Sequence, residues 1–266
     1  AEEVSEKGLT MQLDAAQIAQ FESDGFIDVP DLFTAADTSE LRDRTRDIAE
    51  GRVVTFPTEN IEFEPGQEGV RQLAAVRKLN HCATSDEVFA RHARHAPVLD
   101  IVESLLGPDI KLYGSQAFMK PPGGIEKTYH QDSPYFSIDP MALVTCWIAL
   151  DDTTIENGCL WVIPGSHQAG ALPHSERWMV GGREDMRIPD SMIDRAREVP
   201  ITMSAGSCSF HHSLLLHSLL HNLRDLGRLR PQLSRNQFRQ YRSQSSQLKP
   251  TRLHNLPARP LKPSRL

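Results

Sequence analysis

The sequence predicts an α+β fold whose C-terminal half is a β-sandwich or barrel. Two observations support this prediction. Helix signals dominate up to about residue 106, whereas short runs of strand-forming residues, bounded by Gly, Pro or Asp, follow from about residue 110. Helices that precede a series of strands are typical of α+β chains. A chain of 266 residues is long enough for one large domain with a substantial core.

The first predicted helix covers residues 14–24. Asp14 is a candidate N-cap, Ile18 and Phe21 have helical spacing, and Gly25 is a typical helix terminator. The residues after Gly25 form a short apolar run, so we expect an extended segment there.

Two further helices are predicted before the strands begin. Residues 36–50 are charged and end at Gly51, and residues 85–106 end at a Gly-Pro pair. Residues 52–80 lie between them and are predicted to form a loop or hairpin.

The predicted strands lie in the second half of the chain. They are rich in β-branched and aromatic residues and are separated by turn residues. The strands are expected at residues 110–120, 141–152 and 159–167, with two more in 199–217, separated near Gly206.

The most informative chemical pattern is the pair His130 and Asp132. If both lie in a strand, residues i and i+2 point to the same face, so an imidazole and a carboxylate stand side by side. These are two of the three ligands of the 2-His-1-carboxylate triad typical of non-haem iron(II) enzymes. A single His-x-Asp step is also common in loops by chance.

A third ligand is sought in the histidine-rich run that ends at residue 217. If this run is one strand, His211 and His217 share a face and His212 lies on the other. His221 falls beyond the strand end. The spacing therefore leaves His211 and His217 as alternative partners for the His-x-Asp pair.

Three segments of the chain are similar to the phytanoyl-CoA dioxygenase family of Fe(II)/2-oxoglutarate-dependent oxygenases. They are AFMKPPGG with YHQDSPYF, then TCWIALDDTTIENGCLWVIPGSH, then AGSCSFHHSLLLHSLLHN. The resemblance runs from roughly Ala15 to Arg228. It implies a double-stranded β-helix, in which two antiparallel sheets form a barrel around the metal. It also implies that His130, Asp132 and His217 bind Fe(II), which decides between His217 and His211.

The same resemblance implies 2-oxoglutarate and O2 as co-substrates. Arg228 lies eleven residues after His217, where the family carries an arginine for the distal carboxylate of 2-oxoglutarate. A guanidinium group suits this task because it is permanently charged and binds carboxylates through two hydrogen bonds. Trp147 and Lys120 resemble residues that line the co-substrate pocket. Halogenating relatives have a small residue in place of Asp132, so the retained carboxylate favours hydroxylation.

The C-terminus departs from the family pattern. Residues 223–266 contain eleven Lys and Arg residues and one acid, whereas residues 1–222 contain 18 basic and 34 acidic residues. The family would continue after Arg228 with another core strand, but this chain is rich in Arg, Ser, Gln and Pro. We therefore predict a catalytic domain over 11–230, with its barrel core at about 110–230, and a basic, divergent tail over 231–266.

Composition excludes several other classes of protein. The mean hydropathy is −0.40, and no apolar run approaches the ~18 residues of a membrane-spanning helix. The first ten residues lack the features of a secretion signal, and the four cysteines are widely spaced, so a cytoplasmic location is expected. Nucleic-acid binding by the basic tail is disfavoured because the tail lacks interleaved aromatic residues.

The sequence therefore predicts an enzyme that hydroxylates a small organic substrate and releases succinate and CO2. Two alternatives remain. The divergent C-terminus could leave a catalytically impaired protein that acts by binding, and the same three ligands also suit zinc in a hydrolase.

Overall fold

The computed structural model of the chain describes residues 11–219, apart from residues 123, 125, 136–140, 181 and 182. The α-helices within these residues are α1 Ala15–Asp24, α2 Ala35–Ala49, α3 Cys82–Ser85, α4 Glu87–His92 and α5 Ala96–Leu106. The strands are β1 Phe26–Val29, β2 Ile61–Phe63, β3 Val76–Asn80, β4 Gln116–Phe118, β5 Lys127–His130, β6 Val144–Ile148, β7 Leu160–Val162, β8 Glu176–Val180, β9 Arg183–Arg187, β10 Val199–Ile201, β11 Cys208–His212 and β12 His217–Leu219. The predicted α+β class is confirmed.

Two antiparallel sheets form the barrel. Sheet I has the strand order β1-β11-β6, and sheet II has the order β10-β7-β12-β5. The two sheets share one apolar cluster, which contains Phe26 of sheet I and residues of sheet II. Its buried members are Phe26, Leu160, Val162, Ile201, Leu215 and Leu219. This arrangement is the double-stranded β-helix that the family resemblance implies.

The outer side of sheet I is covered by helices α1 and α5. Phe21 and Ile101 of these helices pack in one cluster with Ile27 and Phe210 of the sheet. Each large apolar side chain that is buried contributes about 1.5–3 kcal/mol, so this layer stabilises the wall that carries β11. A separate sheet, β2-β3-β4, packs on α2 through Ile48 and other apolar residues.

The prediction for the first helix is confirmed residue by residue. The side chain of Asp14 accepts a hydrogen bond from the backbone N–H of Gln17 at 2.8 Å, and the Gln17 side chain accepts one from the N–H of Asp14 in return. This capping box satisfies two N–H groups that a helix start leaves without partners. Gly25 ends the helix with φ +82°, and β1 follows directly.

The prediction of one helix over 85–106 is wrong. The segment contains two helices, α4 and α5, and the side chain of Asp86 caps α4 by accepting from the N–H groups of Val88 and Phe89. Pro97 is the second residue of α5. A proline lacks the N–H group and clashes with the carbonyl four residues earlier, so one helix cannot continue through it. The strand predicted at 110–120 is limited to Gln116–Phe118.

The assumption that the histidine-rich run forms one strand is also wrong. Strand β11 ends at His212 in sheet I, and β12 begins at His217 in sheet II. A turn joins them: the N–H of Leu215 donates to the His212 carbonyl at 2.8 Å, and the N–H of Leu214 donates to Nδ1 of His212 at 3.0 Å. The turn contains neither Gly nor Pro, so the usual sequence signal for it is missing.

The four cysteines are free thiols, as expected from their spacing, and Cys82, Cys159 and Cys208 are buried. None of the helices in the described ranges is both long enough and apolar enough to span a bilayer.

Gly25 is a sensitive position at the junction of α1 and β1. A Cβ atom there would lie 2.4 Å from Nδ1 of His167 and 2.9 Å from Cδ1 of Leu215, and φ is positive. We expect Gly25→Ala to lower the free energy of unfolding by about 1–2 kcal/mol through the left-handed backbone and by a further ~1–3 kcal/mol through the overlap. Urea denaturation of the purified variant measures the loss.

Gly66→Ala is the matched control, because Gly66 has φ +76° and nothing within 4 Å of the added Cβ. This variant should show the backbone cost alone. Equal losses in the two variants would contradict the close packing of His167 and Leu215 against Gly25.

Candidate metal centre

His130 and His217 meet across a pair of neighbouring strands. They are Cα partners in β5 and β12 of sheet II, and their ring centroids lie 4.1 Å apart. Directly opposed residues of antiparallel strands place their side chains on the same face. Both side chains are buried inside the barrel, with 7% and 5% of their surface exposed.

Main-chain carbonyls determine which nitrogen of each ring carries the proton. Nδ1 of His130 lies 2.8 Å from the Thr128 carbonyl oxygen, and Nδ1 of His217 lies 3.0 Å from that of Leu215. Because a carbonyl oxygen only accepts, each Nδ1 is the protonated donor and Nε2 carries the lone pair. This tautomer is the one in which an imidazole binds a metal through Nε2, with an outer partner fixing the ring.

Asp132 completes the cluster from outside the strand. Strand β5 ends at His130, so the condition that both residues of the His-x-Asp step lie in one strand is not met. Oδ1 of Asp132 nevertheless lies 3.8 Å from Nε2 of His130 and 3.6 Å from Nε2 of His217. Among the described residues, His130, Asp132 and His217 form the one group of three or more potential ligands whose donor atoms all lie within 4.8 Å of one another.

The donor set fits a single divalent ion. Two ligands that lie about 2.1 Å from one ion at a right angle are themselves about 3 Å apart, so small movements of these side chains suffice. Two imidazoles and one carboxylate are the ligands that non-haem iron(II) sites use, and His130, His217 and Asp132 provide this set.

The electrostatics of the cluster keep the ligands in their metal-binding states. Burial, together with the nearby imidazole of His217, lowers the pKa of His130 well below its usual value, and burial lowers the pKa of His217 to about 4. Burial opposes the ionisation of Asp132, but the imidazoles of His217, His211 and His130 outweigh it and hold the carboxyl pKa well below its usual range. At neutral pH the cluster therefore offers two lone pairs and one negative charge.

The second carboxylate oxygen of Asp132 faces the opposite sheet. The hydroxyl of Thr145 in β6 donates to Oδ2 at 2.7 Å, and Nε2 of His211 in β11 lies 3.7 Å from the same oxygen. Sequence reasoning missed Thr145 and treated His211 only as an alternative ligand. Both residues approach Asp132 because β6 pairs with β11, and no local sequence pattern indicates that pairing.

Gln131 lies between the two ligands of the His-x-Asp step and is fully buried. Its side-chain amide donates to the carbonyls of Gly170 at 2.9 Å and Leu214 at 2.7 Å, and its Oε1 accepts from the N–H of Leu172 at 2.7 Å. Its own N–H donates to Nε2 of His174 at 3.0 Å. The amide thus connects the chain after β5 with two loops that are distant in sequence.

Two of the predicted pocket residues lie within the described part of the chain. Trp147 is half-buried and packs against the apolar cluster inside the barrel, two residues after Thr145 on the same side of β6. Nζ of Lys120 donates to the carbonyl of Leu219 at 3.3 Å, at the end of the strand that begins with His217. Arg228 and the predicted tail lie outside the described residues.

Comparisons of this chain with known proteins agree on one family. The family model for phytanoyl-CoA dioxygenase matches residues 21–223. The peroxisomal phytanoyl-CoA dioxygenase of Homo sapiens is 29% identical over 212 residues, which are 74% of this chain and 60% of the human protein. Phytanoyl-CoA dioxygenase 1 of Oryza sativa subsp. japonica is 28% identical over 242 residues, 80% of this chain and 85% of the rice protein.

Solved structures share the fold. EctD from S. alaskensis with bound Fe superposes with a TM-score of 0.65 at 24% identity, covering 79% of this chain and 72% of that protein. A structure of the same protein contains 2-oxoglutarate and 5-hydroxyectoine. The likeness confirms the double-stranded β-helix as the architecture of this chain.

Proposed function

Because the chain belongs to the phytanoyl-CoA dioxygenase family of Fe(II)/2-oxoglutarate-dependent oxygenases, we propose that it hydroxylates a small organic substrate, with His130, Asp132 and His217 as the iron ligands. The observation that carries the proposal is the convergence of these three side chains from two distant parts of the chain. Acyl-CoA thioesters are the first substrate class to test, since the curated relatives are named for one.

Bound iron would supply the activation of O2 that couples decarboxylation of 2-oxoglutarate, to succinate and CO2, with hydroxylation of the substrate. The protein supplies the rest of the site. The carbonyls of Thr128 and Leu215 fix the two imidazole rings, and ionised Asp132 offsets part of the metal charge. The buried position of the two histidines keeps bulk water from their ring nitrogens.

The co-substrate is proposed to lie between the metal ligands and Lys120. Lys120 lies close to Arg77 and Lys127, and its Nζ donates to the carbonyl of Leu219, two residues after His217. Two residues of strand span about 7 Å, which is comparable with the length of a five-carbon dicarboxylate. In this arrangement Lys120 faces the distal carboxylate, Trp147 packs against the carbon chain, and Arg228 is proposed as a second cation.

Turnover with defined metals tests the function. The protein is purified without oxygen, loaded with Fe(II), Zn(II) or no metal, and supplied with 2-oxoglutarate, O2 and a series of acyl-CoA thioesters. Succinate is expected with Fe(II) only, with an increase when the correct substrate is present. A folded protein that binds Fe(II) but forms no succinate would support the impaired binding protein instead. Ester or thioester hydrolysis that requires Zn(II) would support the zinc hydrolase.

Lys120 should make the free energy of unfolding depend on pH in the alkaline range. Burial and the nearby guanidinium of Arg77 lower the pKa of Lys120 to about 8, whereas the unfolded chain has a lysine pKa of about 10.4. Between these values the unfolded chain holds a proton that the folded chain has released. The free energy of unfolding therefore contains a contribution that rises with pH from about 8 to 10, by up to ~3 kcal/mol.

The measurement is the difference between wild type and Lys120→Met in urea denaturation at pH 7.5 and pH 10. The same four thiols are present in both proteins, so their contribution cancels in the difference. We expect wild type to gain stability relative to Lys120→Met at the higher pH. A difference that does not change with pH would show that Lys120 is not held in a desolvated site.

A further inference from the structure

The two carboxylate oxygens of Asp132 have different surroundings. Oδ1 faces both imidazole nitrogens of the proposed ligands, at 3.6 and 3.8 Å. Oδ2 accepts the hydroxyl hydrogen of Thr145 at 2.7 Å and lies 3.7 Å from Nε2 of His211. Asp132 therefore stands between the two sheets, with one oxygen toward each.

Thr145 and His211 reach Asp132 together because they are Cα partners in β6 and β11. Paired residues of antiparallel strands place their side chains on one face, and for this pair it is the inner face of sheet I. Their approach to Oδ2 therefore depends on the register of the sheet and not on a flexible loop.

His211 has an unusual environment for a histidine. Only 2% of its surface is exposed, and within the described part of the chain neither ring nitrogen has a hydrogen-bond partner. Leaving a buried polar group without a partner costs about 1–3 kcal/mol, so such a group calls for an explanation. Oδ2 of Asp132 lies 3.7 Å from Nε2 of His211, and a shift of less than about 1 Å would bring the two atoms into hydrogen-bond range.

We propose that Thr145 and His211 are positioning residues that hold Oδ2 of Asp132 against sheet I, so that Oδ1 alone is presented to the metal. This inference rests on the proposed iron centre. A hydrogen bond to a carboxylate is about twice as strong as one between neutral groups, so the Thr145 hydroxyl restrains the orientation of the Asp132 carboxylate. After the small shift described above, Nε2 of His211 would give the same oxygen a second donor.

The consequence concerns the number of positions left on the metal. An octahedral ion with two imidazoles and a carboxylate bound through one oxygen keeps three positions for other ligands. A chelating keto acid would fill two of them, which would leave the third for O2. A carboxylate bound through both oxygens would occupy one of these three positions. Holding Oδ2 against sheet I would therefore keep open the metal position that O2 requires.

The Thr145 hydroxyl is tested with Co(II), which reports coordination through its visible absorption bands and needs no turnover. Thr145→Val keeps the side-chain shape and removes the hydroxyl, whereas Thr145→Ser restores it. We expect Thr145→Val to bind Co(II) about 10–100-fold more weakly than wild type, as other losses of outer partners do, and to change the intensity of the bands. Thr145→Ser should match wild type in both measurements.

A second pair of variants tests His211 independently and decides the matter if Thr145→Val fails to fold. His211→Gln keeps an N–H donor near the position of Nε2, and His211→Leu removes it. The leucine variant should lose Co(II) affinity and change the spectrum, and the glutamine variant should recover part of both.

Three outcomes would overturn the inference. Thr145→Val or His211→Leu could fold and keep the affinity and spectrum of wild type. Thr145→Ser could lose as much affinity as Thr145→Val, which would indicate a packing effect. The spectrum of His211→Leu could show the loss of a bound imidazole, which would make His211 a ligand. Wild-type protein that binds no Co(II) and forms no succinate would instead reject the proposed iron centre, and this inference with it.

Discussion

Replacing His217 by alanine is expected to lower the affinity for Fe(II) by more than about 100-fold and to stop succinate formation. The loss of an outer partner of a ligand costs about 10–100-fold, and the loss of the ligand itself should cost more. His217 supplies one of two imidazoles, and its Nε2 lies 3.6 Å from Oδ1 of Asp132. Calorimetric titration with Co(II) or anaerobic Fe(II) measures the affinity, and succinate release measures turnover.

His212→Ala is the matched control within the same histidine-rich run. The ring of His212 lies near Phe21 and His167, with centroid distances of 6.4 and 5.1 Å, and does not belong to the ligand cluster. This variant should retain metal affinity within a few-fold, although it loses the Nδ1 that accepts from Leu214. Near-native metal binding by a folded His217→Ala would remove the basis for the iron centre.

Gln131→Leu is expected to have the largest effect on stability. Leucine has a similar volume but leaves two carbonyls and one N–H, of Gly170, Leu214 and Leu172, without the partner that Gln131 provides. These three hydrogen bonds are part-buried, so each group left unsatisfied should cost toward the lower end of about 1–3 kcal/mol, and we expect the free energy of unfolding to fall by about 3–5 kcal/mol. Because the amide holds the turn between His130 and Asp132, Co(II) affinity should also fall by about 10–100-fold.

Gln168→Leu is the matched control, because it shows the effect of replacing a glutamine that lies outside the Gln131 hydrogen bonds. Gln168 is exposed, and its side chain donates to the carbonyl of Ser23 at 3.0 Å. Its replacement should cost less than about 1 kcal/mol and leave metal binding unchanged. Comparable losses of stability in the two variants would show that the Gln131 amide is not the connection between the ligand turn and the two loops.

Local signals in the sequence predicted the elements that depend on neighbouring residues. The start of α1 at Asp14 and its end at Gly25 follow from capping and backbone conformation, which need no distant partner. The order of early helices and later strands was predicted in outline only. Strands β1, β2 and β3 precede residue 106, and β1 belongs to sheet I of the barrel, whose core was expected to begin at about residue 110. The helix predicted over 85–106 failed because the capping side chain of Asp86 and the proline at position 97 outweighed the helical composition.

The sequence indicated which residues form the candidate site, but it did not indicate how the fold brings them together. His130, Asp132 and His217 were identified from a motif and a family resemblance, and the structure brings them together. The reasoning from strand periodicity failed twice, because Asp132 lies beyond the end of β5 and because the run that ends at His217 is divided between two sheets. Both breaks are held by hydrogen bonds to groups far along the chain, such as those of Gln131 to Gly170 and Leu214.

The sequence by itself therefore indicated the family, the start and end of α1, and the three side chains that are proposed as ligands. The tertiary structure alone decided that Asp132 presents one oxygen to His130 and His217 and the other to Thr145 and His211. The physical reason is that propensity and periodicity act over a few residues, whereas the position of a buried polar side chain depends on which distant donors satisfy it. Those donors come from strands whose pairing is settled only when the whole barrel closes.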